Sequence, residues 1–254
     1  MKELDILKNI ENELNLSVAA IQYPEQEADA VYLETLRKIS EFRIEKNSSI
    51  LDVGTGYGVM PLVLSKRGFR VWAIDKTNYL EKFGTFHIFK KYGVQFSLVD
   101  VSKDVFPFPD NFFDCIISLS VIDHLNKSPK KFLSEIYRVL KKNGHFILVA
   151  SNFASLDNRI ISILRFSHPI SFKAFCDATE TFEGHVRVYI PKEIKKMLIW
   201  GGFKLLKLYT FNVANLRHYV GYKKIFKTIV RILQKIFFFD KYNKEQIISI
   251  SIKE

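Results

Sequence analysis

The residues best placed to do chemistry open at Asp52, where Asp52-Val53-Gly54-Thr55-Gly56-Tyr57-Gly58 sets glycine at three alternate positions behind an acid. The apolar pair Ile50-Leu51 leads in, and a second run, Arg70-Val71-Trp72-Ala73-Ile74, stops on the carboxylate of Asp75. Strand, glycine turn, helix, strand and acidic tip is how an open α/β sheet holds a ribose-bearing cofactor. Glycine lets the backbone come close to a ligand and take positive φ, and a carboxylate at the second strand end accepts hydrogen bonds from ribose hydroxyls. A dinucleotide fingerprint, G-x-G-x-x-G, needs glycine at 59, where Val59 stands. Two further stretches carry groups able to take a proton. Asp123-His124 follows the apolar run Cys115-Ile116-Ile117-Ser118-Leu119, and His185-Val186-Arg187-Val188-Tyr189 precedes Ile190-Pro191-Lys192-Glu193. In an extended segment His185 and Arg187 share one face, where Arg187 would meet a carboxylate or phosphate, or else pair with an acid of its own chain. His124 is equally able to orient its loop. His87, His145, His168 and His218 have no motif around them and read as structural.

Regular elements must hold these residues in place. Residues 1–47 read as helices, with Leu4, Ile6, Leu7, Ile10 and Leu14 at helical spacing, a second stripe at Val31, Leu33, Leu36 and Ile39, and Tyr23-Pro24 between them. An alternating core follows: a strand near 48–53, helix 58–67, strand 70–75, helix 78–92 stopped by Gly93, and strand 94–99. Strand 114–119, a helix over 129–142 begun by Ser128-Pro129, and strand 145–151 complete it. Beyond lie a helix around 156–166, a helix from Pro191 closed by Gly201-Gly202, a strand over 203–211 and a last strand over 245–252.

Four stretches in order carry a family resemblance. They are Asp52-x-Gly54-x-Gly56-x-Gly58, Val99-Asp100-Val101, the entry Phe106-Pro107-Phe108-Pro109-Asp110-Asn111-Phe112-Phe113-Asp114, and the exit Arg138-Val139-Leu140-Lys141-Lys142-Asn143-Gly144. Together, from about 48 to 150, they resemble the type 11 methyltransferase domain of the class I, S-adenosyl-L-methionine-dependent methyltransferases. The resemblance implies a Rossmann-like α/β fold: a seven-stranded, mostly parallel sheet with helices on both faces and an antiparallel last strand between the fifth and sixth. It implies cofactor contacts at Asp52, Val53, Gly54, Thr55, Gly56 and Gly58, at Asp75 and Lys76, at Asp100 and Val101, and at Ser118. The family often has an acid–His pair where Asp123-His124 stands, and a run like His185 to Glu193 occurs in methyltransferases of glycan clusters. These expectations make Asp123, His124 and His185 catalytic candidates and Arg187 and Tyr189 substrate-binding candidates.

The same topology divides the chain into an N-terminal helical cover (1–47), a cofactor-binding core (48–151) and a C-terminal part of the same domain (152–254). The insertions 152–190 and 212–244 leave the carboxyl ends of strands, where ligands bind in open α/β sheets, and are expected to overhang the cofactor as lids. The acceptor expected is an O or N atom of a small molecule, a sugar or a lipid-linked glycan. Modification of RNA, or a non-catalytic subunit of a methyltransferase complex, are the alternatives. No Asn/Asp-Pro-Pro-Tyr/Phe and no Pro-Cys follows the strand at 114–119, which argues against amino methylation of a base and against cysteine-dependent pyrimidine chemistry. No metal constellation of the catechol type is recognisable.

Composition narrows the surroundings. Hydrophobic residues make up 48% of 254, enough for a sizeable core, and the two cysteines, Cys115 and Cys176, suit a reducing cytoplasm with no disulfide framework. The net charge of +11 is uneven: +1 over residues 1–150, +2 over 151–200 and +8 over 201–254. A local basic surface implies an anionic partner. Within it, 223–239 is amphipathic, with Ile225, Phe226, Ile229, Ile232, Leu233, Ile236 and Phe237 on one side and Lys224, Lys227, Arg231 and Lys235 on the other. Such a helix either lies on a membrane surface or packs its apolar side on the domain or on a second copy in a homodimer, leaving its lysines in solvent.

Overall fold

The structure, a computed structural model, describes residues 3–14, 25–82, 84, 86–164, 184–213, 221–237 and 240–254. Cys176, His168, His218, Tyr23-Pro24 and the centre of the first insertion lie outside the described residues. Helices α1 (Glu3–Glu13) and α2 (Glu25–Glu41) precede β1 (Ser49–Val53), α3 (Val59–Lys66), β2 (Arg70–Asp75), α4 (Tyr79–Lys82), α5 (Phe86–Lys91) and β3 (Gln95–Leu98). Then come β4 (Phe113–Leu119), a single 3₁₀ turn at Ile122–His124, α6 (Lys130–Val139), β5 (Leu140–Ser151) and α7 (Leu156–Ile163). The chain closes with α8 (Pro191–Trp200), β6 (Phe203–Phe211), α9 (Gly221–Ile236) and β7 (Gln246–Lys253).

The sheet has seven strands in the order β3-β2-β1-β4-β5-β7-β6, with β7 antiparallel to both neighbours and the other pairings parallel. All five residues of β1 are buried, as expected for a central parallel strand covered on both faces. One face packs Leu36, Ile39, Leu62, Phe89 and Ile117. The other packs Leu51, Ile74, Phe132, Ile136 and Leu198. Helix α1 adds Leu7 and Ile10 to the first face. Its polar ties run to Arg67 and Lys91, at the C-terminal ends of α3 and α5, away from the glycine turn. Helix α1 therefore braces the sheet at the end away from the glycine turn.

Three expectations change. The helix over 78–92 is two short helices, with Gly84 at φ +67° between them. The helix over 129–142 ends at Val139, because Leu140 is buried and already pairs with Phe113 on β4. The amphipathic segment is helical but turned over. Lys227 pairs with Asp157 and, at 2.6 Å, with Glu245, while Arg231 reaches Glu245 at 3.2 Å. Val230 and Gln234 are buried beside them, and Ile225, Ile229, Ile232 and Ile236 face outward. Ion pairs thus join Val230 in holding α9, and four of its isoleucines are left outward. Hydrogen bonds from Gln234 to the Asn243 carbonyl (3.0 Å) and from Asn212 to Gln234 (3.0 Å) complete its attachment.

Candidate functional site

The glycine turn leaves β1 and enters α3 with Gly54, Gly56 and Gly58 at φ +77°, +53° and +84°. Each is left-handed backbone that a side chain strains. Gly54 also has no room: a Cβ there would overlap the methyls of Val121. At Gly56 the opposite holds, since nothing lies within 4 Å of where a Cβ would stand. The turn thus presses against the β4 loop on one side and leaves an open cradle on the other.

Asp75, at the end of β2, faces that cradle. One carboxylate oxygen accepts the Gly56 N–H at 2.9 Å and the other accepts the Thr77 N–H at 2.9 Å. Two of roughly four lone-pair positions stay available for donors such as ribose hydroxyls. Burial raises the Asp75 carboxyl above its ordinary value, against the pull of those two N–H bonds. Lys76, next along, is exposed. Asp52 is fully buried on β1, and burial, with the Asp75 charge nearby, pushes its carboxyl up to about 7. Val53 and Thr55 are buried with it.

Asp100 follows β3. One of its oxygens accepts from the Ser102 N–H (3.0 Å) and hydroxyl (2.6 Å), and the other stands 3.4 Å from Lys103. Partial burial opposes ionisation, but these donors outweigh it and hold the carboxyl below its usual range. Val101 is buried behind it. Ser118 on β4 is fully buried, and its hydroxyl has no hydrogen-bond partner. An open cradle, a half-satisfied carboxylate and an unpaired buried hydroxyl fit a polar ligand of nucleoside type.

The second group of candidates meets at the 3₁₀ turn that follows Val121. The rings of His124 and His185 stand 4.7 Å apart, edge to face. Burial, with the His124 ring beside it, lowers the His185 pKa to about 4, so its imidazole is neutral at ordinary pH. The two histidines, 61 positions apart in the chain, are joined because the Asp123 carbonyl accepts the N–H groups of Val186 (2.7 Å) and Arg187 (3.2 Å).

Three of the candidates carry contacts within the chain. Asp123 is fully buried, its carboxylate accepts the Ser151 N–H at 2.8 Å, and burial pushes it up to about 7. One oxygen thus fastens the β4 loop to β5, while the other is buried without a hydrogen-bond partner. Arg187 takes the second of the two roles its sequence allowed, pairing with an acid of its own chain. It is exposed, pairs with Glu193 at 2.7 Å and lies over the Tyr189 ring at 5.3 Å. Tyr189 is buried in the second core face. These two residues anchor the start of α8, where Glu193 also accepts the Ile190 N–H at 3.1 Å. Sequence reading missed Val121, whose contact with Gly54 ties the two halves of the site. Nothing in its own neighbourhood signals that role.

Comparison with known proteins bears on this geometry. A family model described as a methyltransferase domain matches residues 51–148. Residues 51–148 thus match a methyltransferase domain, as the sequence motifs in the same stretch led one to expect. The chain is 26% identical to the ubiquinone biosynthesis O-methyltransferase of Rickettsia conorii, over 60% of this chain and 53% of that one. It is 29% identical to the 18S rRNA (guanine(1575)-N(7))-methyltransferase of Saccharomyces cerevisiae, over 52% of this chain and 50% of that one. The chain spans about half the length of the curated relatives it matches. A putative methyltransferase from Bacillus halodurans shares the fold, with a TM-score of 0.56 and 23% identity over 86% of this chain and 98% of that one. The family's cofactor is S-adenosyl-L-methionine, and the turn Gly54–Gly58, Asp75 and Asp100 are the residues that would hold it. When bound, it supplies a methyl group already activated on a sulfonium.

Proposed function

We propose that the protein transfers the methyl group of S-adenosyl-L-methionine to an O or N atom of a small molecule, a sugar or a lipid-linked glycan. The observation that carries this reading is the His124–His185 pair on the loop whose Val121 meets Gly54, with His185 held neutral. A neutral imidazole accepts a hydrogen bond from a hydroxyl or amine and so orients its lone pair, which is what an activated methyl donor leaves for the protein to do. The remaining work is positioning. Val121 links the pair's loop to Gly54, and Asp123 holds the His185 segment, so acceptor and donor groups share one rigid frame.

The yeast relative acts on rRNA, which together with the basic C-terminal segment favours RNA as a second reading. Against it, four of those basic side chains are paired within the chain: Lys204 with Glu254 and Lys207 with Glu41 at the surface, and Lys227 and Arg231 with Asp157 and Glu245.

A methyl-release screen against sugar-nucleotide, lipid-glycan and RNA pools tests both. Turnover on a glycan or small-molecule pool supports the first reading. Turnover confined to RNA, with affinity falling steeply as salt rises, replaces it with the second. On the accepted pool His185→Ala is expected to lower kcat and leave cofactor affinity unchanged. If cofactor affinity falls with it, His185 shapes the cofactor turn and the assignment of the pair is wrong.

A further inference from the structure

Helix α9 presents an apolar face that nothing among the described residues covers. Ile225, Ile229, Ile232 and Ile236 are 63%, 51%, 54% and 59% exposed. Spacings of four, three and four residues put them on one stripe of about 60°. Tyr222 is 77% exposed near one end, and Phe237 is 41% exposed at the other. Beside the stripe stand the exposed Lys224 and Lys235. The opposite side is the one that grips the domain, through Lys227 and Arg231. A helix docked by its charges with its isoleucines outward inverts the usual arrangement of a soluble surface helix. Contiguous apolar exposure rimmed by polar groups marks an interaction surface.

We propose that this face seats on an anionic lipid surface. Charge selects that occupant. The helix from 221 to 236 has no acidic residue. The acids around it are already engaged: Asp157 and Glu245 by Lys227 and Arg231, and Asp240 by Arg159 at 2.6 Å. Among the described residues, Lys224 and Lys235 therefore border the isoleucines with no salt-bridge carboxylate of their own. A second copy would bring the same lysines against each other across a two-fold, which like charges oppose. An anionic headgroup layer takes the lysines, and the acyl boundary beneath takes the isoleucines, with aromatic rings at the helix ends suited to the interface between them. Contact is peripheral, since among the described residues no helix is long and apolar enough to cross a membrane.

Topology gives the contact a direction. Strand β6 is antiparallel to β7, as is β5, so β6 runs parallel with the cofactor strands and α9 leaves its carboxyl end. This is the end of the sheet that carries the glycine turn and Asp75. On the neighbouring helix α7, Ile163 and Leu164 are also exposed. The surface that meets lipid is therefore at the acceptor side of the molecule.

Flotation of the full chain with phosphatidylglycerol/phosphatidylcholine vesicles, against pure phosphatidylcholine, reads the binding without any turnover, so it stands or falls apart from the acceptor reading. The wild-type protein is expected to float with the anionic vesicles and to be released by about 0.5 M salt. Ile229→Ser/Ile232→Ser is expected to weaken binding about tenfold or more while leaving Tm unchanged, since both side chains are already solvent-facing. Lys224→Gln/Lys235→Gln should weaken it by about fivefold for each lysine removed. Wild-type protein that stays in the aqueous fraction, or a serine variant that floats as well as wild type, overturns the proposal. A dimer in light scattering that the serine variant dissociates, without vesicle binding, assigns the face to a second copy instead.

Discussion

Lys227→Met asks which way α9 faces. Methionine keeps the aliphatic stem and removes only the charge. Lys227 bonds Asp157 and, at 2.6 Å, Glu245, within a pocket where both acids are almost out of solvent. Glu245 keeps Arg231 at 3.2 Å after the change, but the remaining oxygen of Asp157 is already buried without a partner. Removing one partner of a buried pair costs about 3–5 kcal/mol. Because the Lys227 side chain retains some solvent access, about 2–3 kcal/mol is the expected loss here. It should appear as local release of α9, so hydrogen exchange of the α9 amides under native conditions is the assay. Protection should fall about 30- to 150-fold. Adding Asp157→Asn should restore about 1–2 kcal/mol by removing the stranded charge, and Lys224→Met, on the solvent side, should stay within about 0.5 kcal/mol. If Lys227→Met and Lys224→Met exchange alike, the helix does not dock through Lys227, and the outward isoleucine face falls with it. Acid should loosen the same joint. Its cations hold the Glu245 carboxyl below its ordinary value although burial opposes this, so its contribution is present above pH 4.5 and is lost as pH falls through the lower folded value.

Asp75→Ala is expected to weaken S-adenosyl-L-methionine binding by about 1–3 kcal/mol, by removing the ribose acceptor and freeing the Gly56 N–H. Unchanged affinity in calorimetry would remove Asp75 from the cofactor site. Gly54→Ala should cost about 2–4 kcal/mol in urea denaturation, from positive φ plus overlap with Val121. Adding Val121→Ala should recover the overlap part alone, and strictly additive effects would show that Val121 and Gly54 do not touch. Burial and the neighbouring His124 lower His185 to about 4 from 6.5, so the unfolded chain binds the proton first as pH falls. Its contribution is complete above pH 6.5 and is lost toward pH 4, by about 2–3 kcal/mol. His185→Ala should flatten that part of the stability curve relative to wild type, and an unchanged slope would mean the ring is charged in the folded protein.

The core of the molecule was legible in the sequence because its signals are local. A central parallel strand is buried on both faces, so β1 reads as an apolar run. A turn that needs positive φ reads as glycine, and a strand that stops on a carboxylate reads as Asp75. Where the outcome depended on residues distant in the chain, periodicity could not reach it. The end of α6 was set by Leu140 pairing with Phe113, 27 residues earlier, whereas the break near Gly84 was a local glycine signal that the helical spacing masked. His124 and His185 meet because one carbonyl, Asp123, accepts two N–H groups 63 and 64 residues further on. Arg187 was drawn to Glu193, an alternative the sequence left open.

Helix α9 shows the division most sharply. Its sequence fixed that one side is apolar and the other basic, because side-chain direction along a helix follows from the 3.6-residue period alone. Which side meets the protein was decided by Asp157 and Glu245, brought from α7 and the approach to β7 to form an acidic seat that only the folded chain assembles.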